Sequence, residues 1–235
     1  MGVFGSRWHD HDRRLESAWK DAVQRDDTVI IAGDIEWALR PEEALESLKR
    51  IEHLPGTKVL IRGNHDFWWS SKTTSKVRRM LPPTIKLIHN DCVQAEGFNL
   101  CGAKGSPVPG AIEWTDQNAK LLNREVQRLK LSLAARDVTL PTIVALHYPP
   151  FYLLHPGSPY REVIAESGAV ACVYGHLHGG NPSGAPEGRI DRCTYQLVAG
   201  DAVGFRPVLV AAGGQVVGGP AGEMTERHGI ESGRF

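Results

Sequence analysis

Lys58-Val-Leu-Ile-Arg-Gly-Asn-His-Asp-Phe-Trp-Trp69 is the stretch on which the reading of the chain turns. Val59, Leu60 and Ile61 form a short apolar run, bounded by Pro55-Gly56 before it and Gly63 after it. That pattern predicts a buried strand of a sheet covered on both faces. At its carboxyl end the chain turns on Gly63 and presents Asn64, His65 and Asp66 in succession. Taken alone, Gly-Asn is a turn and His-Asp a solvated pair. Three further strand ends change the weighing. Val29-Ile-Ile-Ala-Gly-Asp34 stops on a carboxylate, and Ile143-Val-Ala-Leu-His147 on an imidazole. Val170-Ala-Cys-Val-Tyr-Gly-His-Leu-His178 stops on two imidazoles at i and i+2, which an extended segment projects to one side. In open α/β sheets the ligand crevice lies at this edge. Four strand ends bearing Asp, Asn, His and His-x-His predict a polar site there.

Gly33-Asp34, Gly63-Asn64-His65-Asp66, His147 and Gly175-His176-Leu177-His178 resemble the ordered motifs of the calcineurin-like metallophosphoesterases. The words Gly33-Asp-Ile-Glu-Trp-Ala38 and His65-Asp-Phe-Trp-Trp69 resemble a small bacterial branch of that superfamily, and the likeness runs over about 3–209. The resemblance implies a four-layer αββα sandwich, in which helices flank two facing mixed sheets. It also implies a first strand ending in Asp-x-His, and this chain has none.

Composition bounds the alternatives. The 235 residues (25.8 kDa) fit one domain with a sizeable core, expected over 1–212 with a disordered tail over 213–235. Twenty-seven basic and 27 acidic residues cancel, so no global field draws the chain to nucleic acid or an anionic membrane. Four widely spaced cysteines without a CxxC pair predict reduced thiols. No apolar run approaches the roughly 20 residues of a membrane span, and a cytoplasmic location is expected. Charge balance predicts no nucleic-acid or membrane partner, and the resemblance implies a phosphoester substrate as the partner.

Apolar spacing predicts helices over 9–25, 41–54, 70–81, 115–136 and 160–167. Strands are expected over 28–32, 58–61, 85–89, 92–95, 98–101, 142–147, 170–178, 194–198 and 207–211, with Asn90-Asp91 and Glu96-Gly97 as hairpin turns. His9-Asp10-His11-Asp12 lacks the Asp-x-His spacing, and consecutive residues at a helix start point in different directions. It is read as an acidic first turn.

Asp34, Asn64, His147 and His176 offer two oxygens and two imidazole nitrogens, a set suited to Mn, Fe or Zn rather than Ca. By resemblance, the position of Asp34 bridges two metals and those of Asn64, His147 and His176 complete the second site. That of His178 joins the first. Two such ions, about 3.5–4 Å apart, would activate a water for in-line attack on phosphorus. His65 would act as general acid, with Asp66 orienting its imidazole or capping the next turn. The resemblance thus implies a metal-dependent hydrolase of phosphate mono- or diesters, holding two ions with an upstream Asp-x-His and one without. Of three accounts of the absent motif, a start upstream of Met1 is preferred. A one-metal enzyme and a protein-binding scaffold are the others. Trp68 and Trp69 could stack on an aromatic leaving group, with core packing the expected role for at least one.

Overall fold

The computed structural model describes residues 6–179 and 184–217. Its first half alternates helix and strand: α1 (His11–Ala22), β1 (Thr28–Ile31), α2 (Leu45–Glu52), β2 (Thr57–Leu60), α3 (Thr74–Met80) and β3 (Ile85–Leu87). β1, β2 and β3 pair in parallel, with β2 central. The second half runs β4 (Cys92–Ala95), β5 (Phe98–Ala103), α4 (Ala119–Ala134), β6 (Thr142–Leu146), α5 (Pro159–Ser167), β7 (Ala171–Tyr174), β8 (Gly188–Ile190) and β9 (Cys193–Leu197). These strands form a mixed six-stranded sheet in the order β4-β5-β6-β7-β9-β8.

Three apolar clusters mark the three interfaces of a four-layer sandwich. Strand alternation sends Val59 inward from β2 to meet Leu100, Ile143, Ala145 and Val173 between the sheets, with Ile61 beside it. Leu60 points the opposite way, onto Leu48 of α2, Val77 of α3 and both Trp68 and Trp69. The far face of the six-stranded sheet packs Val144, Leu146 and Cys172 against Leu122, Leu129 and Leu133 of α4 and Ile164 of α5. Helix ends follow local chemistry. Ser158 accepts a hydrogen bond from Tyr160 N, Pro159 occupies the first turn, and Gly168 closes α5 in the left-handed region. Lys58, fully buried on β2, donates its ammonium protons to the Glu52 and Leu54 carbonyls at the end of α2.

Several expectations change. Glu96-Gly97 is a hairpin turn, joining β4 to antiparallel β5. Asn90-Asp91 is not. β3 and β4 belong to different sheets, and Asp91 holds the corner between them. Its carboxylate accepts from His89 N at 2.7 Å and pairs with Arg78, while its carbonyl accepts from Ser132 Oγ of α4 at 2.5 Å. The expected strand over 207–211 reduces to β10 (Ala211–Ala212), closed by β11 (Gln215–Val216) around Gly213-Gly214. That hairpin extends beyond 212, and the tail over 218–235 lies outside the described residues. The four cysteines are free thiols, as expected. No helix among the described residues is long and apolar enough to cross a membrane. β1 is half-buried along its whole length, and among the described residues no strand pairs with its outer edge.

Candidate metal centre

The carboxyl ends of β1, β2, β6 and β7 converge. Two glycines allow the approach. Gly33 has φ of 95°, and a Cβ there would lie 2.6 Å from Gly63 Cα and 2.7 Å from His147 Nδ1. A Cβ on Gly63 would lie 2.0 Å from Asp34 Oδ1. Asp34 (φ 56°) and His176 (φ 68°) both occupy the left-handed region, which costs a non-glycine residue about 1–3 kcal/mol. Tertiary contacts must hold them there.

Asp66 supplies those contacts for Asp34. Its buried carboxylate accepts from five N–H groups: Asp34 N and Gly63 N on one oxygen, Ile35 N, Glu36 N and Trp68 Nε1 on the other, at 2.7–3.2 Å. Burial raises the carboxyl above the ordinary range, and the Gly63, Glu36 and Ile35 amides pull the other way. None of those five bonds comes from the His65 ring. Asp66 therefore clasps the β1 and β2 loops together, the turn-capping alternative, and leaves the imidazole to other contacts.

The donors themselves face one point. His147 Nδ1 lies 2.8 Å from the Ala32 carbonyl, so it carries the proton and leaves Nε2 as a bare lone pair. Burial lowers this imidazole to about 4, which keeps it neutral. His147 Nε2 lies 2.6 Å from Asn64 Oδ1 and 3.5 Å from Asp34 Oδ2. On the opposite wall, His176 Nε2 lies 3.0 Å from Glu113 Oε1, which leaves Nδ1 bare. That nitrogen is 3.1 Å from Asn64 Oδ1 and 3.3 Å from His147 Nε2. Burial lowers the His176 pKa, with Glu113 opposing. Counting His, Cys, Asp and Glu alone, no group of three among the described residues could hold an ion. The missing member of that count is the Asn64 amide oxygen, which lies between both imidazoles. Four lone-pair donors this close repel one another unless a cation lies between them, so the residues fit a divalent ion.

The remaining residues take separate places. His178 Nδ1 pairs with Asp201 Oδ1 at 3.0 Å, its ring edge-on to Trp8 at 5.1 Å. The His65 ring stacks on Trp37 (4.3 Å between centroids, 12° between planes), while its backbone N donates to Asp34 Oδ1 at 2.8 Å. Trp37 is exposed, whereas Trp68 and Trp69 are both buried in the α2–α3 core and cannot reach a substrate. Sequence reasoning missed Glu113, Asp201 and Trp37. Asp201 had a readable signal: Ala199-Gly200-Asp201 after β9 repeats Ala32-Gly33-Asp34 after β1. Glu113, in a Gly/Pro-rich loop, had none. Because Glu113 sets the His176 tautomer, Glu113→Ala is expected to weaken divalent-metal affinity about tenfold. Calorimetric titration with Mn2+ checks this, and an unchanged affinity would detach Glu113 from the site.

The Gene 66 protein of Mycobacterium phage L5 is 44% identical over 57 residues, covering 24% of this chain and 27% of that protein. The match thus spans about a quarter of that relative's length. Among solved structures, phosphopantetheinyl hydrolase from Mycobacterium tuberculosis superposes with a TM-score of 0.49 at 15% identity, over 79% of this chain and 87% of that one. A protein of unknown function from Aquifex aeolicus gives 0.45 at 15% identity, over 84% and 80%. The family model for calcineurin-like phosphoesterases matches residues 8–180, a span that carries all four strand ends and every donor described above. By that match, the chain belongs to the calcineurin-like phosphoesterase family.

Proposed function

We propose that the protein hydrolyses phosphate mono- or diesters with a divalent ion, Mn or Fe before Zn, held by Asp34, Asn64, His147 and His176. The observation that carries this reading is the convergence of two bare imidazole nitrogens and two oxygens, each imidazole fixed from behind by a carbonyl or carboxylate. An ion bound there supplies Lewis-acid polarisation of a phosphoryl oxygen and lowers the pKa of a water. The chain's own groups do the rest. Tyr148 packs 4.1 Å from the His176 ring and walls one side of the centre. His65 lies beside it on the face of Trp37, its ring nitrogens without a hydrogen-bond partner among the described residues. From there His65 donates a proton to the departing alkoxide.

Mn2+ titration of the purified protein, followed by assay on p-nitrophenyl phosphate and bis(p-nitrophenyl) phosphate, tests the reading. Asn64→Ala and His176→Ala are expected to lose both metal uptake and turnover. Full retention in either variant would overturn the assignment. His65→Ala is expected to keep the metal and to slow alkyl esters more than p-nitrophenyl esters, because only poor leaving groups need the proton. Equal slowing would remove His65 from the acid role.

A further inference from the structure

Beside the donor cluster, a small cleft opens between the ends of β2, β3 and β5 and the side of α4. It is lined by Arg62, His89, Lys104, Glu125 and Arg128, among others, and its inner cavity measures about 20 Å³. Sequence spacing gave no hint of it, because these residues come from four separate segments.

The cleft is linked to the candidate centre through Lys104 and Tyr148. Lys104 follows β5, and its carbonyl accepts from both His147 N (3.1 Å) and Tyr148 N (3.2 Å). The Lys104 ammonium lies 5.5 Å from the centre of the Tyr148 ring, whose other neighbours are His147 and His176. Arg62 stands two residues before Asn64 on the same turn.

Its charge is unbalanced. Arg128 is fully engaged: Nε pairs with buried Glu125 at 3.3 Å, Nη1 meets His89 Nε2 at 3.2 Å, and Nη2 donates to Ser71 Oγ at 2.7 Å. His89 is neutral, since burial and then Arg128 lower its pKa to about 4. Arg62 uses only Nε, on the Asp66 carbonyl at 3.3 Å. Among the described residues, neither the Arg62 Nη groups nor Lys104 Nζ has a hydrogen-bond or ion-pair partner. Three cations and one carboxylate thus line the cleft, and two of the cations, Arg62 and Lys104, keep donors without a hydrogen-bond partner among the described residues. Both Arg62 and Lys104 are half-buried, so their cationic heads are partly withdrawn from water. A space of about one water molecule takes one phosphoryl oxygen reaching in from the open side, but no sugar or aromatic ring.

We infer that Lys104 and Arg62 form a subsite for a second phosphoryl group of the substrate, beside the ester being cleaved. The identity of the ligand as substrate rests on the hydrolase reading; the anion site itself does not. Guanidinium and ammonium donors suit a tetrahedral oxyanion, and each charge-assisted bond would strengthen binding by about tenfold.

Two experiments test the inference separately from that reading. In the first, metal-free protein in EDTA is titrated with inorganic pyrophosphate at low salt by calorimetry. Saturable one-to-one binding is expected in the wild type, weakened about tenfold in Lys104→Gln and restored in Lys104→Arg. Equal affinity in wild type and Lys104→Gln, or no saturable binding at all, overturns the subsite. In the second, Mn2+-loaded protein is assayed on alkanediol bisphosphates of two to six carbons and on alkyl monophosphates of matching length. One bisphosphate is expected to exceed its monophosphate in kcat/KM by about tenfold, and Lys104→Gln to erase that ratio. A ratio that never appears, or that survives in Lys104→Gln, overturns the role in substrate choice. Absence of hydrolysis on every ester would instead sink the hydrolase reading, while the pyrophosphate titration still decides the anion site.

Discussion

Asp66→Ala is expected to destabilise the fold by about 4 kcal/mol, a fall in melting temperature of about 10 °C for a chain of this size. The carboxylate is fully buried and accepts five N–H bonds, four from the backbone and one from Trp68. Truncation leaves those donors buried without an acceptor, at about 1–3 kcal/mol for each that water cannot reach. Partial relaxation and water entry bring the sum well below five such penalties. The loss also reaches the donor cluster, because the clasp holds Asp34 in its left-handed conformation. Differential scanning calorimetry against Glu166→Ala, an exposed acid on α5, checks the prediction. If both variants melt with the wild type, the clasp carries no weight.

Gly63→Ala is the second large effect, and it is steric. The added methyl would stand 2.0 Å from Asp34 Oδ1 and 2.2 Å from Asp34 N, and neither neighbour is the loose end of a flexible side chain. Either the β1 loop or the β2 loop must move by about an ångström, enough to cost about a hundredfold in turnover. Metal affinity is expected to fall with it, since ligand positions tolerate about 0.2 Å. Gly157→Ala, where a methyl meets nothing within 4 Å, is the matched control. Mn2+-dependent hydrolysis of p-nitrophenyl phosphate by the two variants is the measurement. Wild-type rates in Gly63→Ala would mean that the strand ends do not form the site.

What the sequence made legible was whatever repeats locally. An apolar run, a glycine and then a polar residue is a pattern within one segment, and it placed Asp34, Asn64, His147 and His176 at strand ends before any geometry was known. Glycine turns and helical spacing likewise placed β2, α4 and α5 within a few residues. Asn90-Asp91 misled because a turn dipeptide reads the same at a hairpin and at a corner between sheets. Only its distant contacts, with Arg78 and Ser132, distinguish the two. Glu113 and Lys104 were illegible for the same reason. Each acts through a neighbour far along the chain, His176 for one and Tyr148 for the other. Trp68 and Trp69 drew attention as aromatic residues next to His65, yet the turn that carries them packs both inward with Leu48 of α2 and Val77 of α3. The exposed partner of that imidazole is Trp37, 28 positions earlier.

Among the described residues β1 is paired on one side only, and this has a consequence for amide hydrogen exchange. A strand inside a sheet has its N–H groups bonded on both sides, whereas about half of those on an edge strand point outward. Outward amides exchange without waiting for global unfolding, so β1 should lose its protons well before β2 or β6. Asp34 is carried on the end of that strand, so any ion it holds adds its binding free energy to the closed state of β1. Deuterium uptake over residues 28–36, followed against added Mn2+, therefore serves as a gauge of occupancy at the donor cluster that needs no substrate.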